Sequence, residues 1–120
     1  MLNNFVHERF QLKSNIDKSY GSAEILYKDL LQEGFQSTEL LDNMGYIYHY
    51  HYKNYSFAEQ YYQRSLVLSD GENSWTHYLL SSLYIDKGDL DKGLAEYKAY
   101  LKKDKYKKLS INLQGVQKIF

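Results

Sequence analysis

The chain of 120 residues contains no cysteine and no proline, and each absence narrows what it can be. Without thiols there are no disulfides and no thiolate metal sites. Without proline, nothing imposes the penalty of about 3 kcal/mol that its ring exacts inside a helix. Net charge is missing too, because 15 basic and 15 acidic residues cancel. A general nucleic-acid binder carries a basic excess, which disfavours that class. No window approaches 18 consecutive apolar residues, so no membrane-spanning helix is expected. The opening MLNNFVHERFQLK reaches charge at Glu8 without a continuous apolar stretch and does not read as a signal peptide. The expectation is a soluble cytoplasmic protein of one domain, with 43% apolar residues to build its core.

What the chain has in excess is tyrosine, 14 in all. Tyrosine covers a large area with few rotatable bonds and keeps a polar tip, so it suits helix seams and binding surfaces alike. Several tyrosines fall into a repeat. Tyr27, Tyr62 and Tyr97 are 35 residues apart, and the same step relates Ala23, Ala58 and Gly93. It also relates Tyr20, Tyr55 and Leu90, then Leu31, Leu66 and Leu101, and the N-cap types Ser19, Asn54 and Asp89. A period in the thirties is the signature of stacked two-helix units.

Taken in order, residues 2–16 read as a first helix, with Leu2, Phe5, Val6 and Phe10 on one face. Ser19 is placed to cap a second helix, which Gly34 ends as a left-handed residue. Ser37 or Thr38 opens a third helix running to about His51. Asn54 caps a fourth, stopped at Asp70-Gly71. Ser74 caps a fifth, broken at Lys87-Gly88, and Asp89 caps a sixth that runs to about Lys103. Leu109, Leu113, Val116 and Phe120 then share one face of a last helix, which would cover the open end of a repeat stack. Tyr46, Tyr48, Tyr50 and Tyr52 alternate with other residues in the period of a strand. Helix is still expected there, since a lone strand would leave its backbone groups unpaired.

The units resemble tetratricopeptide repeats over about residues 18–105. In the third unit the matching residues are Leu80-Ser81, Tyr84, the Gly88-Asp89-Leu90 turn, Gly93 and Tyr97. In the middle unit they are Leu41, Met44-Gly45, Tyr48, Ala58 and Tyr62. In the first unit only Tyr20, Ala23 and Tyr27 match. The resemblance implies an all-α fold, an α-solenoid of about three helix-turn-helix repeats with a C-terminal capping helix. The repeats would span about 2–34 (degenerate), 37–71 and 74–105, and the cap 107–120. Gly45 to Ala58 is a step of 13 residues, whereas Ser81 to Gly93 is a step of 12. The middle unit therefore carries one extra residue, expected near His51 to Lys53.

In this family the first helix of each unit lines a concave groove. Carried over by position, the groove residues would be Glu39, Asp42, Tyr46, His49 and Tyr50, then Trp75, Tyr78, Ser82, Ile85 and Asp86. Helical spacing by itself places Asp42, Tyr46, His49 and Tyr50 on one face. An aromatic, mildly acidic groove suits a peptide or helix of a partner protein with apolar anchors and some positive charge. The implied function is a non-enzymatic adaptor, chaperone or immunity-type module, with self-assembly through the groove as the alternative.

Other chemistry is poorly provided for. His49 and His51 point about 200° apart on a helix, badly placed to share a metal. There is no glycine-rich phosphate loop, no base placed for Ser81 or Ser82, and no cofactor is expected. Lys102, Lys103, Lys105, Lys107 and Lys108 form a basic run at a helix end, where solvated lysines complement the dipole. A nucleic-acid role for this run is the lesser alternative.

Overall fold

The computed structural model of the chain describes residues 18–111, with side chains as far as residue 104. All its regular secondary structure is helical, and no strand occurs among the described residues. Helix α1 covers 18–32, α2 Thr38–Tyr46, α3 Tyr55–Leu68, α4 Ser74–Asp86 and α5 Leu90–Ile111. A π-helical turn, Ile47–His51, extends α2. The chain divides into two compact units, Met1–Gln36 and Ser37–Phe120.

In the first unit, α1 ends as expected at Gly34, whose φ of 95° only glycine adopts freely. The Phe35 N–H donates to the Leu30 carbonyl at 3.0 Å and the Gly34 N–H to Leu31 at 3.1 Å, the paired bonds of a Schellman stop. Ser19 is not a cap, because α1 already includes Lys18. The helix expected over 2–16 lies outside the described residues.

In the second unit, α2 pairs with α3 and α4 with α5, while α3 packs on α4 and α2 also reaches α4. The caps expected from sequence organise these hairpins. Ser37 accepts from the Leu40 N–H at 3.0 Å, and Asn54 from the Phe57 N–H at 3.1 Å. Asp89 accepts from the Lys92 N–H at 3.2 Å. Each such cap is worth about 1 kcal/mol. Helix α4 is capped one residue earlier than expected, by Asn73, which accepts from the Trp75 N–H at 3.1 Å. Helix α3 repeats the Schellman stop with Asp70 in the left-handed region at φ 54°, and α4 repeats it at Gly88.

Helix α5 departs from expectation. It does not stop near Lys103 but continues through the lysine run to Ile111. The run holds no glycine or proline, and lysine is a good helix former, so nothing local breaks it. A separate helix beginning at about 107 is thereby corrected, and Leu113, Val116 and Phe120 lie outside the described residues.

The extra residue of the middle unit is accounted for. The Tyr52 N–H donates to the Ile47 carbonyl at 3.1 Å, an i→i+5 bond that takes one more residue than an α turn. The Asn54 N–H then reaches the Tyr48 carbonyl at 2.8 Å, and Lys53 sits between them in the left-handed region at φ 58°. The slack is thus absorbed just before α3, and the helical reading of the alternating tyrosines holds with a wider turn in its second half.

Most residues matched to the repeat pattern form the core: Leu41, Met44, Tyr48, Ala58, Tyr62, Leu80 and Tyr84 are buried, whereas Leu90 and Tyr97 on α5 are exposed. On the flank, the Tyr84 hydroxyl donates to Glu59 at 2.8 Å and accepts from Gln63 at 3.2 Å. Burial pushes that hydroxyl up to about 12, while Lys87, 2.8 Å from Glu59, holds the carboxyl below its usual range.

The tightest contact joins α2 to α3. A Cβ on Gly45 would collide with Cε1 and Cδ1 of the fully buried Tyr62 ring. Alanine would otherwise favour the helix by about 1 kcal/mol. Overpacking costs about 1–3 kcal/mol, and a ring closed in on every side cannot give way cheaply. Gly45→Ala is therefore expected to lose up to about 2 kcal/mol, with a lowered melting temperature measured by thermal circular dichroism.

Candidate functional site

The ten residues expected to line a groove fall into two groups. Tyr46, Tyr50, Trp75, Tyr78, Ile85, Asp86 and Glu39 are exposed, and Ser82 is half-buried. Asp42 and His49 are not surface residues at all: they are 5% and 0% exposed. Both are corrected to core positions.

Asp42 is enclosed because α3 and α4 close over this side of α2. The Thr76 hydroxyl lies 3.0 and 2.9 Å from its two carboxylate oxygens. Ser65 is 3.2 Å from the same Thr76 oxygen and donates to the Thr38 carbonyl at 3.3 Å. Burial raises the Asp42 carboxyl, and the hydrogen bonds from Ser65 and Thr76 pull partly the other way. One small polar knot thus pins three helices. No buried side-chain nitrogen or oxygen among the described residues is left without a partner.

His49 lies seven residues on from Asp42, two helical turns along the same face, and so also faces α3 and α4. Its Nε2 lies 2.6 Å from Asp86 Oδ2, and its Nδ1 is 3.5 Å from the Tyr62 hydroxyl. These partners suit the neutral ring with the proton on Nε2, donating to the carboxylate while Nδ1 accepts. Tyr50 stacks on the same ring at 3.9 Å, and Tyr55 and Tyr62 meet it edge-on. Burial lowers the affinity of His49 for a second proton, and the hydrogen bond and charge of Asp86 oppose that only in part.

Above His49 the exposed rings form a strip across two helices. Tyr46 and Tyr50 are 4.5 Å apart between centroids. Tyr50 lies close to Ser82, Asp86 and Tyr78 of α4 and stacks on His49, which is paired with Asp86, so it bridges the two hairpins. Burial raises the Tyr50 hydroxyl. Trp75 and Tyr78 stack at 5.1 Å with planes 12° apart, and Trp75 is 53% exposed. The strip continues where the sequence reading did not follow it. Tyr78 meets Tyr100 of α5 at 5.2 Å, and Tyr97 lies 5.8 Å beyond. Tyr97 belongs to the repeated column of Tyr27 and Tyr62, and Tyr100 belongs to no repeated column. The only available signal was that both stand three residues apart on one helix.

His77 proves to be a tie at a helix seam, with Nδ1 2.6 Å from Glu96 and Nε2 3.1 Å from the Gly71 carbonyl. An open cleft beside it carries Lys102 and Lys103, and Lys103 is engaged by Glu72 at 3.4 Å. No cluster of three or more metal-ligating side chains occurs among the described residues. None of their helices is long and apolar enough to cross a membrane. No family model, curated protein or solved structure matches this chain.

The buried histidine gives the fold a pH dependence of known sign. The folded state keeps His49 neutral where the unfolded chain, with an ordinary value of about 6.5, takes a proton. Stability is therefore present above about pH 6.5 and falls as the pH drops towards the lowered folded value, by at most about 1.4 kcal/mol per pH unit for one proton. Urea unfolding at about pH 7.5 and 5.5 should show this loss in the wild type. His49→Gln, whose amide can still donate to Asp86, should lack it. An equal loss in both proteins would remove His49 as the cause.

Proposed function

We propose that this chain is a tetratricopeptide-like α-solenoid of about three helix-turn-helix units that works as a non-enzymatic binding module. A peptide or helix of a partner protein lies along Tyr46, Tyr50, Tyr78 and Trp75. The observation behind this reading is the stacked Trp75–Tyr78 pair, held at the surface and joined through Tyr50 to the neighbouring hairpin. Exposed aromatics in one contiguous patch are the usual anchors of protein interfaces. The pairing of α2 with α3 and α4 with α5 supports the repeat reading, as does the burial of the matched residues on α2, α3 and α4.

The chemistry of the partner follows from the charges beside the strip. Glu39 is exposed, and the Asp86 side chain is 44% exposed although it accepts from neutral His49. Both leave negative charge at the rim, and the strip residues include no lysine or arginine. Apolar anchors flanked by lysine or arginine fit such a surface, whereas a free C-terminal carboxylate would meet no cation there. An adaptor, chaperone or immunity-type role in the cytoplasm is consistent with this mode of binding.

The test is affinity capture from the source organism with the wild type and a Tyr46→Ala, Tyr50→Ala, Trp75→Ala variant. Tyr46 and Trp75 are exposed while Tyr50 also covers His49, so circular dichroism of the variant is matched to the wild type before capture. The expected result is a partner held by the wild type and lost by the variant, with basic and apolar residues in its bound segment. A partner held equally by both proteins would move the site off the strip. A preference for acidic segments on a peptide array would contradict the electrostatic part.

A further inference from the structure

We propose that the chain forms a two-fold dimer in which α5 packs antiparallel against α5 of a second copy along Leu90, Leu94, Tyr97 and Leu101. This goes beyond partner binding on the strip of α2 and α4 and uses the outer side of α5, which shares only Tyr97 with the far end of that strip. The four side chains are spaced by four, three and four residues, which is the seam of a coiled coil. They are 67%, 53%, 40% and 46% exposed, a row of large apolar groups left in water. The row is one residue on from Gly93, Glu96 and Tyr100, which turn towards α4, so it stands about 100° round the helix from the packed face.

The charges flanking this row select both the occupant and its direction. Asp91 and Lys98 occupy equivalent positions on one side of the seam, and both are exposed. Gly93 and Tyr100 occupy the other side, the one nearer α4. In an antiparallel pair, like flanks face each other, so Asp91 meets Lys98 of the second copy twice, once at each end. Leu94 then lies against Tyr97 of the second copy and Leu90 against Leu101. In a parallel pair, Asp91 and Lys98 would face the Gly93 and Tyr100 side, and no charge pair would form. The seam is therefore complementary to itself in one orientation.

The seam from Leu90 to Leu101 is about 17 Å long, which makes the interface small and its affinity about micromolar. Sedimentation equilibrium of the full chain from about 5 to 500 μM brackets that range. The wild type should shift from the 14.3 kDa chain to twice that mass. Asp91→Lys and Lys98→Asp should each raise the dissociation constant about tenfold or more, since each sets like charges face to face. An equimolar mixture of the two variants should recover wild-type association, because every facing pair is then opposite in sign. Leu94→Glu should remain monomeric and folded. A wild type that stays monomeric throughout would overturn the proposal. So would dimers unaffected by either reversal, or a mixture no tighter than the variants alone. Asp91 and Lys98 lie outside the aromatic strip, so capture of a partner by these variants reports on the strip independently of the dimer.

Discussion

Tyr62 can enter the core only because residue 45 has no side chain. That single close approach sets the distance between α2 and α3, and other features of the unit follow from it. With its ring seated against Gly45, Tyr62 brings its hydroxyl to 3.5 Å from His49. His49 in turn reaches across to Asp86 at the end of α4. A glycine, a tyrosine, a histidine and an aspartate thus connect α2, α3 and α4 in one line, and Tyr50 lies on top of it. The exposed strip is the upper surface of a buried arrangement.

Polar groups in this core do what apolar packing leaves undetermined. Leucine and tyrosine faces would tolerate small slides of one helix along another, since their attraction has little direction. Thr76 between the oxygens of Asp42, and Asp86 on His49, are met in one relative position of the helices. The cost of burying these groups appears in the raised Asp42 carboxyl and the lowered His49. The gain is that the rings of two hairpins are held at fixed spacing, which a surface with few rotatable anchors requires.

Much of this was legible in the sequence, for identifiable reasons. Helix starts and stops were readable because Ser37, Asn54, Gly34 and Gly88 act through their own backbone neighbours. The core of α2, α3 and α4 was readable because the repeat pattern marks Leu41, Met44, Tyr48, Ala58, Tyr62, Leu80 and Tyr84, whereas the equivalents of Tyr62 and Leu66 on α5, Tyr97 and Leu101, stay exposed. The extra residue between Gly45 and Ala58 was visible as a count, yet counting gives no geometry. Only the backbone shows it as a π turn. The burial of Asp42 and His49 depends on Thr76 and Asp86, 34 and 37 residues away, and no local spacing encodes those contacts. The unbroken course of α5 was missed because a cluster of lysines was treated as an ending, although lysine itself favours continuation.

The central claim is that the aromatic strip is where a partner binds, and the chain carries its own reporter there. Trp75 is the only tryptophan, and it stands exposed against Tyr78. The most direct measurement is the emission spectrum of Trp75 while the protein is titrated with a purified, tryptophan-free segment of a captured partner. The account predicts a shift to shorter wavelength that saturates with the binding isotherm, as the ring leaves water. Saturable binding, verified calorimetrically, with no change in Trp75 emission would contradict it.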